Sequence, residues 1–124
     1  MSEPASLTAL IEMLEKATGP AYALDCEIED WRYALLGWGK PLGQRITPPA
    51  YTASIDAALT LVPEGDGWHL DTARMADGTV YRCVVGPSMA AWAKTPALAL
   101  CVAALNAYRI KERLAAEAKE GGQG

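Results

Sequence analysis

The sequence predicts an α+β fold, in which helices pack on a small antiparallel sheet of about three strands. Three observations indicate this class: two amphipathic helical patterns open the chain, a hairpin pattern with an Asp-Gly turn follows, and a well-capped helix begins after Lys94. The expected core is therefore helix–strand–strand–strand–helix, preceded by a helical pair. Residues 1–124 are expected to form a single domain.

The helical pair occupies residues 1–36. The first helix, capped by Ser2 or Ser6 and stopped at Gly19 and Pro20, has an apolar face made of Leu7, Leu10, Ile11 and Leu14. The second runs from about residue 23 to residue 36, and its apolar side consists of Leu24, Ile28, Trp31 and Leu35. Helical periodicity spreads its acidic residues around the helix, so a solvated face is expected rather than a cation site for Asp25, Glu27, Glu29 and Asp30.

A stretch rich in Gly and Pro, residues 37–50, predicts a loop because it sustains neither a helix nor a central strand. A third helix of about ten residues is expected to begin near Thr52 or Ser54 and to end at Pro63. The residues that it turns inward are Ile55, Ala58, Leu59 and Val62. This helix opens the αβββα core, residues 51–113.

Two strand-like runs, residues 68–76 and 79–85, flank Asp77 and Gly78, a dipeptide that favours a type I′ hairpin turn. This turn pairs Arg74 with Tyr81. One face then carries Trp68, Leu70, Thr72, Arg74, Tyr81, Cys83 and Val85, and the other carries His69, Asp71, Ala73, Met75, Val80, Arg82 and Val84. Because neither face is cleanly polar, both are expected to be at least partly covered, one by the third and last helices and the other by the N-terminal pair or a second subunit.

A weaker third strand, residues 89–94, leads into the final helix. Thr95 is a favourable N-cap, and Pro96 stands at the first helical position, where its missing N–H costs nothing. The buried stripe of this helix is formed by Leu98, Cys101, Val102, Leu105 and Tyr108, with alanines on its flanks. Residues 114–124 are expected to begin as helix and to fray into a flexible tail.

Composition excludes several classes of function. A formal net charge of −4 argues against general binding to nucleic acid, which depends on Lys and Arg. One His and three widely spaced Cys predict no transition-metal site and no disulfide framework. No cofactor is expected. The acidic start lacks the pattern of a signal peptide, and no apolar run suits a membrane span. A cytoplasmic location is therefore expected.

Three segments read together resemble a known family of small tailed-phage and prophage proteins, the phage ABA sandwich domain family. They are KATGPAYALDCEI, PPAYTASIDAALTLVPEGDGWHLD and AKTPALALCVAALNAY. The resemblance implies helices on both sides of a sheet, a phage or prophage origin and a setting in the bacterial host cytoplasm. It implies no activity and no catalytic residues.

The second half is also similar in element order to the double-stranded RNA-binding domain. Such domains carry a basic cluster at the start of their last helix, and this cluster is reduced here to Lys94, followed by Pro96, Ala97 and Leu98. Binding to double-stranded RNA is therefore the less favoured alternative, since recognition of the RNA by its shape would lack the positive charges that contact phosphates.

The candidate ligand-binding residues are arginines and aromatics, which suit anionic, planar ligands through forked hydrogen bonds and stacking. They are Arg74, Tyr81, Arg82 and Arg109, together with Trp38 as the best candidate for an exposed contact. The alternative is that these arginines are rim residues that keep the sheet soluble. The other tryptophans are expected mostly in the core.

Catalytic residues are not predicted. His69 and Asp71 share one strand face and suit a general base oriented by a carboxylate, but no nucleophile motif accompanies them, so a surface hydrogen-bonded pair is favoured over a small hydrolase. The sequence thus predicts a non-enzymatic protein that acts stoichiometrically, either by binding a host protein or by sequestering a small nucleotide defence signal. A homo-oligomer is a further expectation, because the Ala-rich final helix offers small residues on more than one side.

Overall fold

The computed structural model describes residues 7–36 and 48–121, and its elements follow the predicted order. The helices are α1 (Leu7–Lys16), α2 (Tyr22–Leu36), α3 (Ile55–Leu59) and α4 (Pro96–Gly121). The strands β1 (Trp68–Met75), β2 (Gly78–Val85) and β3 (Ala91–Ala93) form one antiparallel sheet in the order β1-β2-β3. The α+β class is therefore confirmed. Ser2, Ser6, Trp38 and most of the predicted loop lie outside the described residues.

The predicted cap of α4 is confirmed. The Thr95 Oγ1 accepts a hydrogen bond from the backbone N–H of Leu98 at 3.1 Å. From Ala97 to Leu105 every side chain is buried, because α4 contacts β2 and β3 as well as α1 and α3. The alanines expected on the flanks are therefore covered by the chain itself, and they no longer support an oligomer.

The hairpin turn lies one residue earlier than predicted. Met75 pairs with Gly78, so the turn residues are Ala76 and Asp77. Every described residue with positive φ is a glycine, and Gly78 takes a φ of 134° at the start of β2. A type I′ turn would instead require positive φ at Asp77. The predicted partner of Arg74 was therefore wrong: Arg74 pairs with Thr79, and Tyr81 pairs with Thr72.

The two faces of the sheet differ in cover. On the helix side, beneath α4, the buried residues are Cys83, Val85, Ala91 and Ala93. The opposite side, here named the open face, carries no buried residue and consists of His69, Asp71, Ala73, Met75, Val80, Arg82, Val84 and Trp92. The α1 helix packs on α4 and reaches the sheet only at β3, and α2 packs on α1. The N-terminal pair therefore does not cover the open face, contrary to the prediction, and no helix within residues 7–36 or 48–121 does so.

The α3 helix is shorter than predicted. It has five residues, and the Ser54 Oγ caps it by accepting from the backbone N–H of Ala57 at 3.2 Å. Ala58 is buried as expected, whereas Ile55 is 37% exposed, contrary to its predicted inward position. The early end of the helix turns Leu61 into the core instead.

A buried polar contact joins α2 to the segment before α3. The carboxylate of Asp25, only 6% exposed, accepts hydrogen bonds from the backbone N–H and the hydroxyl of Thr52 at 2.8 and 2.9 Å. The Thr52 hydroxyl oxygen in turn accepts from the backbone N–H of Ala21 at 2.8 Å. The expected solvated position of Asp25 is therefore wrong, and its hydrogen bonds offset the cost of burying the carboxylate.

Tyr51 makes a second link to α2 while its side chain is fully buried. Its hydroxyl donates to Glu29 and accepts from the Arg32 guanidinium at 3.0 Å. Burial, assisted by the hydrogen bond to Glu29, raises the pKa of Tyr51 to about 12. The phenol therefore stays protonated in the folded protein until strongly alkaline pH.

The turn after β2 is packed against the loop that precedes β1. Gly86, with a φ of 49°, donates its backbone N–H to the carbonyl of Gly67 at 2.9 Å. The carboxylate of Asp66 stands where a side chain at position 86 would begin: a Cβ there would lie 2.5 Å from the Asp66 Oδ2. Lys111 of α4 holds this carboxylate, with its Nζ 2.9 Å from Oδ2.

Candidate functional site

Three side chains form a row across the open face, one from each strand. Arg82 of β2 stands directly between Asp71 of β1 and Trp92 of β3. Its Nε and Nη2 donate to the two carboxylate oxygens of Asp71 at 3.0 and 2.5 Å, which is a forked ion pair. The guanidinium carbon lies 5.9 Å from the centre of the Trp92 ring, within the range of a cation–π contact.

The ion pair makes this row electrostatically neutral. The hydrogen bond from Arg82 lowers the pKa of Asp71, and the same contact raises the pKa of Arg82, so both groups are charged at neutral pH and their charges cancel. Both side chains are partly exposed, and exposed ion pairs contribute little to stability. The pair therefore serves mainly to position the guanidinium beside Trp92.

Apolar side chains surround this row. Trp92 is 46% exposed and Met75 is 50% exposed, and the half-buried Ala73, Val80 and Val84 complete the surface. Tryptophan, methionine and arginine are the residue types that protein–protein interfaces enrich relative to other surfaces. The open face thus presents residue types that are common in protein–protein interfaces.

The predicted ligand-binding residues do not converge. Arg74 is exposed and Tyr81 is packed against the core, both on the helix side of the hairpin, whereas Arg82 lies on the open face. Arg109 lies on α4, where its guanidinium donates to the Asn106 amide oxygen at 2.5 Å and to the hydroxyl of Thr8 at 3.4 Å. Trp38 is outside the described residues. The four described residues therefore occupy three separate surfaces of one protomer.

The row of Asp71, Arg82 and Trp92 was missed because of the hairpin register. In the predicted register Asp71 faces Val84, so its pairing with Arg82 was hidden. Most tryptophans were expected in the core. Of the three that the structure describes, Trp31 is buried, whereas Trp68 and Trp92 are about half exposed. The alternation of Ala91, Trp92 and Ala93, with small residues on one side of the strand and a ring on the other, is the signal that would have revealed Trp92.

The His69 and Asp71 pair is present at the sheet surface. The His69 Nε2 lies 3.1 Å from the Asp71 Oδ2, an oxygen that also accepts from Arg82. The buried thiols lie elsewhere: Cys83 is on the helix side, where burial raises its pKa to about 11, and burial also raises the pKa of Cys101. In the described part of the chain, no three or more His, Cys, Asp or Glu residues are grouped to hold a metal ion.

Comparison of the chain with protein-family models, with curated proteins and with solved structures gives no match. The resemblance to the phage ABA sandwich domain family and the likeness to the double-stranded RNA-binding domain therefore stay predictions from the sequence. Within the two described ranges, none of the helices combines the length and the apolar character that a membrane crossing requires.

Proposed function

We propose that this chain is a non-enzymatic protein that binds a partner protein stoichiometrically through its open face. The observation that supports this proposal is the half-exposed Trp92 beside Arg82, on a sheet face that no described helix covers. A sheet face exposed to water normally carries polar side chains in alternation. Here burial of the tryptophan, methionine and valine side chains against a partner would remove apolar surface from water and favour association.

The charge of the open face favours a protein over an anionic ligand. Asp71 already neutralises Arg82, so this guanidinium offers no uncompensated charge to a phosphate. The partner surface that fits best is mainly apolar, with a pocket for Trp92 and polar groups opposite His69. Nucleotide sequestration is less favoured because the candidate arginines lie apart. Binding to double-stranded RNA is less favoured because Lys94 is all that remains of the basic cluster that such domains carry.

The biological setting belongs to the same proposal. A phage or prophage origin, a host protein as the partner, the host cytoplasm as the location and a role in counter-defence are supported by the resemblance of the three sequence segments to the phage family. The open face adds the physical means by which such a protein could act without turnover: it occupies a partner surface and blocks it.

The experiment is affinity capture from bacterial lysates with the wild-type chain and two tryptophan variants. Trp92→Ala removes the proposed anchor, and Trp68→Ala is the matched control because Trp68 is 47% exposed but lies on the other side of the sheet. The wild-type and Trp68→Ala proteins should each retain a partner protein in an amount nearly equal to their own. Loss of a central tryptophan should weaken capture by about 30-fold or more, as expected for a hot-spot residue.

Two results would contradict the proposal. One is equal capture by Trp92→Ala and wild type, with both proteins folded by circular dichroism. The other is a small nucleotide released in stoichiometric amount when the purified protein is denatured, detected by mass spectrometry and by excess absorbance on the nucleotide side. This second result would favour sequestration of a nucleotide instead.

A further inference from the structure

A cavity of about 210 Å³ lies where the β2–β3 connection meets α4. It shares no residue with the open face. Its lining residues are two arginines and an asparagine together with apolar residues: Met89, Ala90, Asn106, Arg109, Ile110 and Arg113. This mixture is typical of small-ligand sites, in which a few polar groups orient a ligand against an apolar wall.

Arg109 is held in position by neutral partners. Its two hydrogen bonds go to the amide oxygen of Asn106 and the hydroxyl of Thr8, and neither acceptor carries a charge. A guanidinium has five N–H donors, so Arg109 keeps donors in reserve for a ligand. Its positive charge is therefore oriented, and among the described residues no carboxylate pairs with it, unlike the charge of Arg82.

Arg113 stands one helical turn after Arg109, on the same side of α4. Within residues 7–36 and 48–121, no carboxylate forms an ion pair with either arginine. By contrast, the cavity of about 310 Å³ at the start of α4 is lined by Asp56 and by no cationic side chain. Two adjacent guanidiniums that no described carboxylate pairs with thus mark this cavity as a place for an anion.

We propose that this cavity binds the phosphoryl group of a small phosphate monoester. Guanidinium groups match the oxygens of a phosphoryl group with forked, charge-assisted hydrogen bonds. The volume lies below the roughly 300 Å³ at which ligand pockets usually begin, so the organic part of the ester is small. Met89 and Ile110 provide the apolar surface for it. This site does not depend on the proposed function of the open face.

The test is a titration of the isotope-labelled protein with ethyl phosphate, in which the NMR signals of the arginine Nε–H groups are monitored. The wild-type protein should show saturable shifts at Arg109 and Arg113. Arg113→Gln should weaken binding by about 10-fold or more because it removes one of two charge-assisted contacts. The affinity of Arg113→Lys should lie between those of wild type and Arg113→Gln, because lysine keeps the charge but not the forked hydrogen bonds. Lys16→Gln, which removes an exposed cation from α1, is the matched control and should bind like wild type.

Three results would overturn the site. They are the absence of saturable shifts at the two arginines in the wild-type protein, an equal loss of affinity in Lys16→Gln and Arg113→Gln, and binding of inorganic phosphate without binding of ethyl phosphate. The first would show that the cavity takes no phosphoryl group, and the second would show unspecific attraction. The third would exclude an ester.

Discussion

The two faces of the sheet carry neighbouring residues of the same strand into opposite environments. Cys83 is fully buried beneath α4, whereas Arg82, one residue earlier, reaches the open face and is partly exposed. Around Cys83 and Val85 the helix side is closed by apolar packing, and the open face satisfies its charges with a surface ion pair. The sheet is thus packed mainly from the side beneath α4, and the side chains of the open face stay accessible to water.

The ionisable groups of the two sides also differ. In the packed core, burial raises the pKa of Tyr51, whose hydroxyl donates to Glu29 and accepts from Arg32. On the open face, a hydrogen bond from Arg82 lowers the pKa of Asp71 while the carboxylate remains in contact with water. The titration of Tyr51 therefore reports on the packed core, and the titration of Asp71 reports on the open face.

The largest effect is expected from a charge placed on the helix side. Cys83→Asp buries an unpaired carboxylate and should cost about 3–5 kcal/mol, a large part of the 5–15 kcal/mol that typically stabilises a domain. Val84→Asp, the matched control on the open face, should cost about 1 kcal/mol or less. Urea unfolding followed by tryptophan fluorescence measures both. Similar losses in the two variants would show that the open face is covered after all.

A smaller effect is expected from Tyr51 at high pH. The unfolded chain releases the phenolic proton near the ordinary value of 10.0, and the folded chain retains it to about 12, so stability is complete below pH 10 and falls as pH rises toward 12. This fall should reach up to about 3 kcal/mol, the free energy that corresponds to a rise in pKa from 10.0 to about 12. The Tyr51→Phe variant should show no such fall in stability between pH 10 and pH 12. Equal pH slopes for the two proteins between pH 10 and pH 12 would contradict the burial of this hydroxyl.

The smallest effect is expected from the ion pair of the open face. Because Arg82 lowers the pKa of Asp71, the contribution of this carboxylate is present above its ordinary value of 3.8 and is lost as pH falls below that value. Asp71→Asn should therefore differ slightly from wild type at neutral pH and converge with it in acid, as measured by urea unfolding. If the difference in unfolding free energy between the two proteins persisted or grew in acid, the Asp71–Arg82 ion pair would not be its source.

The sequence predicted the sides of the sheet better than its pairing. A shift of two positions in register leaves every side chain on its own face, because side chains alternate with a period of two. The faces were therefore correct although the turn was misplaced. The helix cap at Thr95 was also correct, since capping depends on residues that are close in sequence.

Long-range polar contacts were beyond sequence reasoning. Asp25 and Thr52 are separated by 27 positions, and no periodic pattern of either segment encodes their contact. The same holds for Tyr51 with Glu29. On the candidate site, the arginines were recognised as a residue type, but their distribution over three surfaces depends on tertiary packing. Trp92 was grouped with the core tryptophans because the alternation of Ala91, Trp92 and Ala93 was not weighed.

The contact of Gly86 with Asp66 has a consequence for how this sequence can diverge. A side chain at position 86 would collide with a carboxylate that Lys111 holds in place, and the positive φ there disfavours other residues as well. Positions 66, 86 and 111 are therefore expected to vary together. In an alignment of related chains, the loss of the glycine should coincide with a smaller residue at 66 and the loss of the cation at 111.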